Sequence, residues 1–114
     1  MPGPSYCPKR GDVVWLIFSP QKGHEQAGQR PALTLSPESY NKRVGLAIFC
    51  PMTTQVKGYP FEVPIFSGDK TSGVVLADQV KSLDWQSRGA RFYFKASEST
   101  LSDVLSKLGA LLEM

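Results

Sequence analysis

Glycine and proline break this chain every few residues up to about residue 96, so the apolar runs between them stay short. Runs of that length suit β-strands, whereas a helix that buries a face needs about ten residues or more. Gly11–Phe18 (GDVVWLIF) is β-branched and aromatic throughout, which predicts a strand covered on both sides. Pro20 stops it, because proline cannot donate to a ladder. Residues 19–29 (SPQKGHEQAGQ) are polar and predict a mobile loop. Further strands are predicted at Arg30–Ser36, Val44–Pro51, Phe61–Phe66, Gly73–Ala77 and Ala90–Lys95, with a turn or a single helical turn at Pro37–Lys42 and a polar loop at Met52–Pro60.

The period then changes. Leu101, Val104, Leu105, Leu108, Leu111 and Leu112 recur at helical spacing, with Ser97 placed to cap the first turn and Glu98 to complement its dipole. Short strands followed by one amphipathic helix predict a mainly β chain, a small barrel or half-barrel with the helix packed on it, folded as a single domain over 1–114.

Composition removes other classes. No apolar stretch approaches the roughly 18 residues of a membrane span, and the first residues lack the apolar core of a secretory signal. Two distant cysteines, Cys7 and Cys50, make neither a disulfide framework nor a cysteine-rich zinc site. They read as one terminal thiol and one buried strand thiol in a reducing, cytoplasmic setting. A single histidine, His24, excludes both a multi-histidine zinc centre and a two-histidine acid–base pair. The net charge of +3 permits a polyanionic partner without requiring one.

Three blocks carry a resemblance. The first is Gly23, Glu25, Gln26, Gly28, Arg30 and Pro31 in a G-x-E-Q-x-G-x-R-P pattern; the second is CPMTTQVKGYPFEV (50–63); the third is GVVLADQVKSLDW (73–85). Together, in this order and spacing, they resemble the MazF/PemK family of toxin ribonucleases. The resemblance implies an SH3-like barrel, a homodimer, and cleavage of single-stranded RNA without a metal or other cofactor. It also implies a MazE-like antitoxin that covers the RNA groove.

Cleavage of RNA without a metal needs a base for the 2′-OH, an acid for the leaving 5′ oxygen, and donors for the charged phosphorane. By resemblance, Arg30 and Thr53 are the central pair. A guanidinium clamps phosphate with two parallel bonds, and a threonine hydroxyl donates to a non-bridging oxygen. Arginine keeps its proton to above pH 12, which makes it a poor base. Glu25 is the candidate base; the alternative is that it orders its loop or pairs with Arg30. Gln26 is a loop or base-edge contact, and His24 a solvated loop residue. Phe18, Lys22, Gln26, Lys57, Tyr59 and Gln79 are the candidate RNA contacts, since unstacked bases are held by aromatic faces and backbones by cations. Trp15 is expected in the core or a dimer interface, and Asp78 as structural; Arg88 and Arg91 either extend the basic surface or are simply solvated. Two other readings keep the barrel without the chemistry: a toxin that binds gyrase, and an adaptor with an aromatic groove for proline-rich peptides.

Overall fold

In the computed structural model, which describes residues 6–18, 28–68 and 70–114, the apolar run after Gly11 is a strand buried on both faces. This is β1 (Asp12–Ile17). It is followed by β2 (Gln29–Thr34), α1 (Glu38–Val44), β3 (Ala47–Thr53), β4 (Glu62–Ser67), β5 (Lys70–Leu76), β6 (Lys81–Leu83), β7 (Arg91–Lys95) and α2 (Glu98–Leu112). All pairings are antiparallel, in the order β4-β5-β3-β2-β1-β7, with β6 joined to β3. The sheet is a curled half-barrel.

Alternation along the strands feeds two cores. Val13, Leu33, Cys50 and Met52 face Val63, Ile65, Val75 and the helix residue Val104. Val14, Leu16, Phe18, Ala32 and Phe49 face the opposite way, against Cys7, Leu83 and Trp85. That is why β1 has no polar stripe. The terminal helix forms where expected, with the Ser97 hydroxyl accepting from the Thr100 N–H at 3.1 Å and Val104 fully buried, but Leu105 and Leu112 of the same apolar stripe are exposed rather than packed.

Three expectations need correction. The turn at 37–42 is a seven-residue helix, so β3 begins at Ala47 rather than Val44. Glu38 in its first turn and Lys42 and Arg43 in its last suit the helix dipole, and Gly45 closes it in the left-handed region at φ 84°. The strand expected to end at Pro51 continues to Thr53, because Met52 and Thr53 pair with Val75 and Val74. Cys7, read only as a terminal thiol, is buried in the second core. The segment expected to be a mobile loop lies outside the described residues from 19 to 27, and Gln29 already belongs to β2.

Asn41 is a fully buried polar junction. Its amide N–H groups donate to the carbonyls of Pro8 (2.8 Å) and Ser36 (3.1 Å), its side-chain oxygen accepts from the Ser36 hydroxyl, and its own carbonyl accepts from Trp85 Nε1 (3.0 Å). With every group matched, the cost of burying an amide is recovered. The short helix thereby ties Trp85 of the second core to the start of the chain.

Burial, with Asp78 nearby, pushes the Cys50 thiol from an ordinary 9.0 up to about 12. The folded state therefore holds this proton more tightly than the unfolded chain does. Its stabilising contribution is complete below pH 9 and declines as the pH rises toward 12. A thiol reagent at pH 8 is expected to label Cys50 only after denaturant unfolds the chain, read by mass spectrometry of the modified peptide.

Candidate functional site

The site follows from strand register. β2 and β3 pair with Ala32 opposite Pro51, Leu33 opposite Cys50 and Thr34 opposite Phe49. Continued toward the open end of the ladder, the same register sets Arg30 across from Thr53. Residues opposed in an antiparallel pair project from one face, so the guanidinium and the hydroxyl are neighbours although far apart in sequence. Arg30, Thr53 and Gln55 line two adjoining hollows. One, of about 500 Å³, also takes in Lys57, Tyr59, Glu62 and Gln79. The other, of about 380 Å³, takes in Trp15, Gln29, Met52 and Ser72.

Thr53 is held from two directions. Its Oγ1 accepts the Gln55 N–H at 3.1 Å, which leaves its own O–H free to donate outward. Behind it, Gly73 lies at φ +128°, and a Cβ there would sit 2.3 Å from the Thr53 carbonyl oxygen. Only a residue without a side chain allows β5 so close to β3. Ser72, just before it, is the extra residue of a β-bulge: Ile65 pairs with Gly73 and Phe66 with Thr71.

The wall carrying Lys57 and Tyr59 is organised by Glu62. Its carboxylate accepts the backbone N–H groups of Lys57 (2.9 Å), Gly58 (3.0 Å) and Tyr59 (3.3 Å), with Gly58 at φ +77° completing the turn. The Tyr59 hydroxyl donates to the Asp78 carboxylate, and this bond is the main reason its pKa rises above 10.0. Loop 54–61 is thus fastened at both ends, with the Lys57 side chain left in the hollow.

Arg30, Thr53, Lys57, Tyr59 and Gln79, singled out from sequence, are brought together in one hollow. Phe18 is not. It is 3% exposed within the second core, with Lys81 Nζ 5.3 Å from its ring centre, so it presents no stacking face. Glu25, Gln26 and Lys22 lie outside the described residues, as does His24. Trp15, expected in the core or a dimer interface, is half-buried and lines the smaller hollow. Arg88 is half-buried and tied to the fold: its Nη1 donates to the carbonyls of Ile17 and Phe18, each at 2.9 Å. Glu62, Gln55, Gln29 and Ser72 escaped sequence reasoning, although the Gly-Tyr-Pro turn before Phe61 and Glu62 was a signal for a carboxylate that ties a loop. Among the described residues, no three His, Cys, Asp or Glu side chains converge as metal ligands, and no helix is long and apolar enough to cross a membrane.

What the arrangement can do is hold an anion. A fork-shaped cation and a free hydroxyl donor share one face, between two hollows. Residues 9–112 match the family described as PemK-like, MazF-like toxin of type II toxin-antitoxin system. The chain is 48% identical over 107 residues to the endoribonuclease toxin MazF of Escherichia coli K12, covering 94% of this chain and 96% of that one. It superposes on MazF (Form-I) of Deinococcus radiodurans with a TM-score of 0.85 and 53% identity, covering 96% and 100% of the two chains. A MazE-MazF structure (Form-III) from the same organism gives a TM-score of 0.86 at 50% identity, covering 96% and 99%.

Gly73→Ala is expected to destabilise the fold by about 2–5 kcal/mol, since it combines an unfavourable backbone conformation with overpacking against the Thr53 carbonyl. Gly109→Ala, in α2 with open space around it, is the control and is expected to cause no loss. Urea unfolding of the two variants measures the difference.

Proposed function

The chain belongs to the PemK-like, MazF-like toxin family of type II toxin-antitoxin systems, and from that premise we propose that it is an endoribonuclease toxin that cuts single-stranded RNA by internal attack of a 2′-OH. The observation that carries this reading is that Arg30 and Thr53 both line the two adjoining hollows. One phosphodiester at that junction leaves its two flanking nucleotides a hollow each.

In the proposed reaction the 2′-oxygen attacks the adjacent phosphorus while the bond to the 5′-oxygen breaks. The 5′-oxygen takes up a proton from solvent as it leaves, and the products are a 2′,3′-cyclic phosphate (or the 3′-phosphate after hydrolysis) and a 5′-hydroxyl. Arg30 supplies two parallel donors and a full charge to the non-bridging oxygens, whose charge grows in the transition state. Thr53 adds a third donor, aimed by the bond that its oxygen accepts from Gln55. Removing one such donor typically costs a hundredfold to a thousandfold in rate. Glu25 is the proposed base for the 2′-OH proton, a role suited to a carboxylate that phosphate makes more basic. Lys57 is the proposed backbone contact, Tyr59 a stacking surface, and Gln79 and Gln26 base-edge contacts. No cofactor is required by this scheme.

Relatives named endoribonucleases support this reading over a toxin that only binds protein. Solved MazE-MazF complexes support an antitoxin as partner. The proposed antitoxin is MazE-like and covers the RNA groove with an acidic segment. A homodimer in the cytoplasm is the proposed assembly, with the exposed Leu105 and Leu112 of α2 contributing to its apolar contact.

Purified protein incubated with single-stranded RNA in EDTA is expected to release fragments with 5′-hydroxyl ends. Arg30→Ala is expected to lower the rate at least a hundredfold, and Thr53→Ala to lower it less. Intact RNA, or cleavage that Arg30→Ala leaves unchanged, would overturn the mechanism.

A further inference from the structure

Glu62 stands in the wrong place by charge alone. It lines the larger hollow with Lys57 and Arg30, where the proposed substrate brings a chain of phosphates. A fixed negative charge there should repel RNA and weaken its binding. The geometry shows what the charge does instead. One carboxylate oxygen, Oε2, accepts the Lys57 N–H at 2.9 Å, and Oε1 accepts those of Gly58 at 3.0 Å and Tyr59 at 3.3 Å. Three successive backbone N–H groups turned onto one anion form a nest, and Gly58 at φ +77° supplies the left-handed step in it.

This clamp is carried by the sheet. Glu62 opens β4, is half-buried and pairs with Leu76 of β5, while Val63 beside it is 2% exposed in the first core. Its own N–H donates to the Tyr59 carbonyl at 3.0 Å, and the Phe61 carbonyl accepts from the Ala77 N–H at 2.9 Å. The loop in front has no comparable support. Residues 54–60 are all exposed, Val56 included, so apolar burial does not order them. The placement of Lys57 therefore depends on hydrogen bonds to fixed groups, and its backbone N–H makes the shortest of the three bonds to Glu62.

We propose that Glu62 is a positioning residue of the reaction: by holding the backbone of residues 57–59 it presents the Lys57 ammonium to an RNA phosphate, so a carboxylate in the groove strengthens the binding of a polyanion. The proposal rests on the ribonuclease reading above and adds the sign of this residue's effect. A lysine on an unordered loop loses conformational freedom when it meets a phosphate, whereas one on a fixed turn has lost much of it in folding. Glu62 acts through Lys57 and meets no reacting atom. Repulsion and positioning predict opposite results for Glu62→Gln, which keeps the shape and one acceptor oxygen but removes the charge.

The test uses the full-length protein, a single-stranded RNA that it cuts, and the same oligonucleotide with the attacking 2′-OH replaced by hydrogen for binding. Glu62→Gln is expected to raise KM roughly 2- to 12-fold, the span of one net hydrogen bond, with kcat largely retained. The slope of log affinity against log salt is expected to become shallower by about 0.7, the share of one single-strand phosphate contact, and Lys57→Ala to give the same change. With Glu62→Gln in place, Lys57→Ala should cost nothing further, because both remove one contact. In the free protein, the amides of Lys57, Gly58 and Tyr59 are expected to exchange with solvent more slowly than those of an unstructured chain. They should lose that protection in Glu62→Gln while the urea midpoint stays near that of the native chain.

Tighter binding or a steeper salt slope with Glu62→Gln overturns the proposal, because only repulsion predicts it. Penalties of Glu62→Gln and Lys57→Ala that simply multiply overturn it as well. So does a loss of amide protection throughout the fold, the mark of a purely structural role. Unprotected amides at 57–59 in the native protein overturn it without requiring any variant to fold. A native protein that neither binds nor cuts RNA overturns the ribonuclease reading instead, and the two failures are distinguishable because amide exchange reports the clamp without RNA.

Discussion

The β2–β3 ladder is the constraint on which the site depends. Its register carries Arg30 to a position across from Thr53, and a slip of one residue would turn every side chain of β2 to the other face. The register itself is secured by burial. Leu33 and Ala32 enter opposite cores, both with no exposed surface, so neither face of the strand can accept a slipped residue without loss. The chemistry proposed for Arg30 and Thr53 is thus an end effect of packing deeper in the same pair of strands.

Donors held in place before substrate arrives need not be reorganised during reaction, and the structure shows how that order is produced. The Glu62 carboxylate gathers three successive backbone N–H groups of loop 54–61, Tyr59 binds the loop to Asp78, and Gln55 fixes the Thr53 hydroxyl. Gly73 lets β5 press against the Thr53 carbonyl from behind. None of these side chains has to touch substrate to matter. Two bulges, at Ser72 where Ile65 pairs with Gly73 and Phe66 with Thr71, and at Tyr93 where Val13 pairs with Phe94 and Val14 with Phe92, interrupt the regular pairing of the sheet.

Much of the fold was legible because its signals are local. The apolar run of β1 and the helical spacing from Leu101 to Leu112 each report a periodicity that neighbouring residues impose. The helix α1 was harder, since seven residues with Tyr40 and Asn41 among charged neighbours carry no apolar stripe, and its stability comes from Asn41 buried between Pro8, Ser36 and Trp85. The three-residue β6 has too few positions to show alternation. Phe18 illustrates the opposite failure. An aromatic beside a motif loop looks like a stacking surface, yet alternation from Val14 and Leu16 already directed its ring into the second core.

By itself, the order of residues determined the strand-rich architecture, the terminal helix and the exclusion of paired-histidine chemistry, and it carried the three motif blocks whose family resemblance pointed to Arg30, Thr53, Lys57, Tyr59 and Gln79 as candidate site residues. Those conclusions rest on residue types, local periods and motif spacing, all of which are linear properties. Only the tertiary structure decided that Trp15 borders the site while Phe18 does not, that Glu62 orders the loop carrying Lys57, and that Gly73 is required where it stands. Each of these is a contact between segments distant in sequence. Such contacts depend on strand register, on bulges and on which face closes against which core, and no single stretch of chain encodes them.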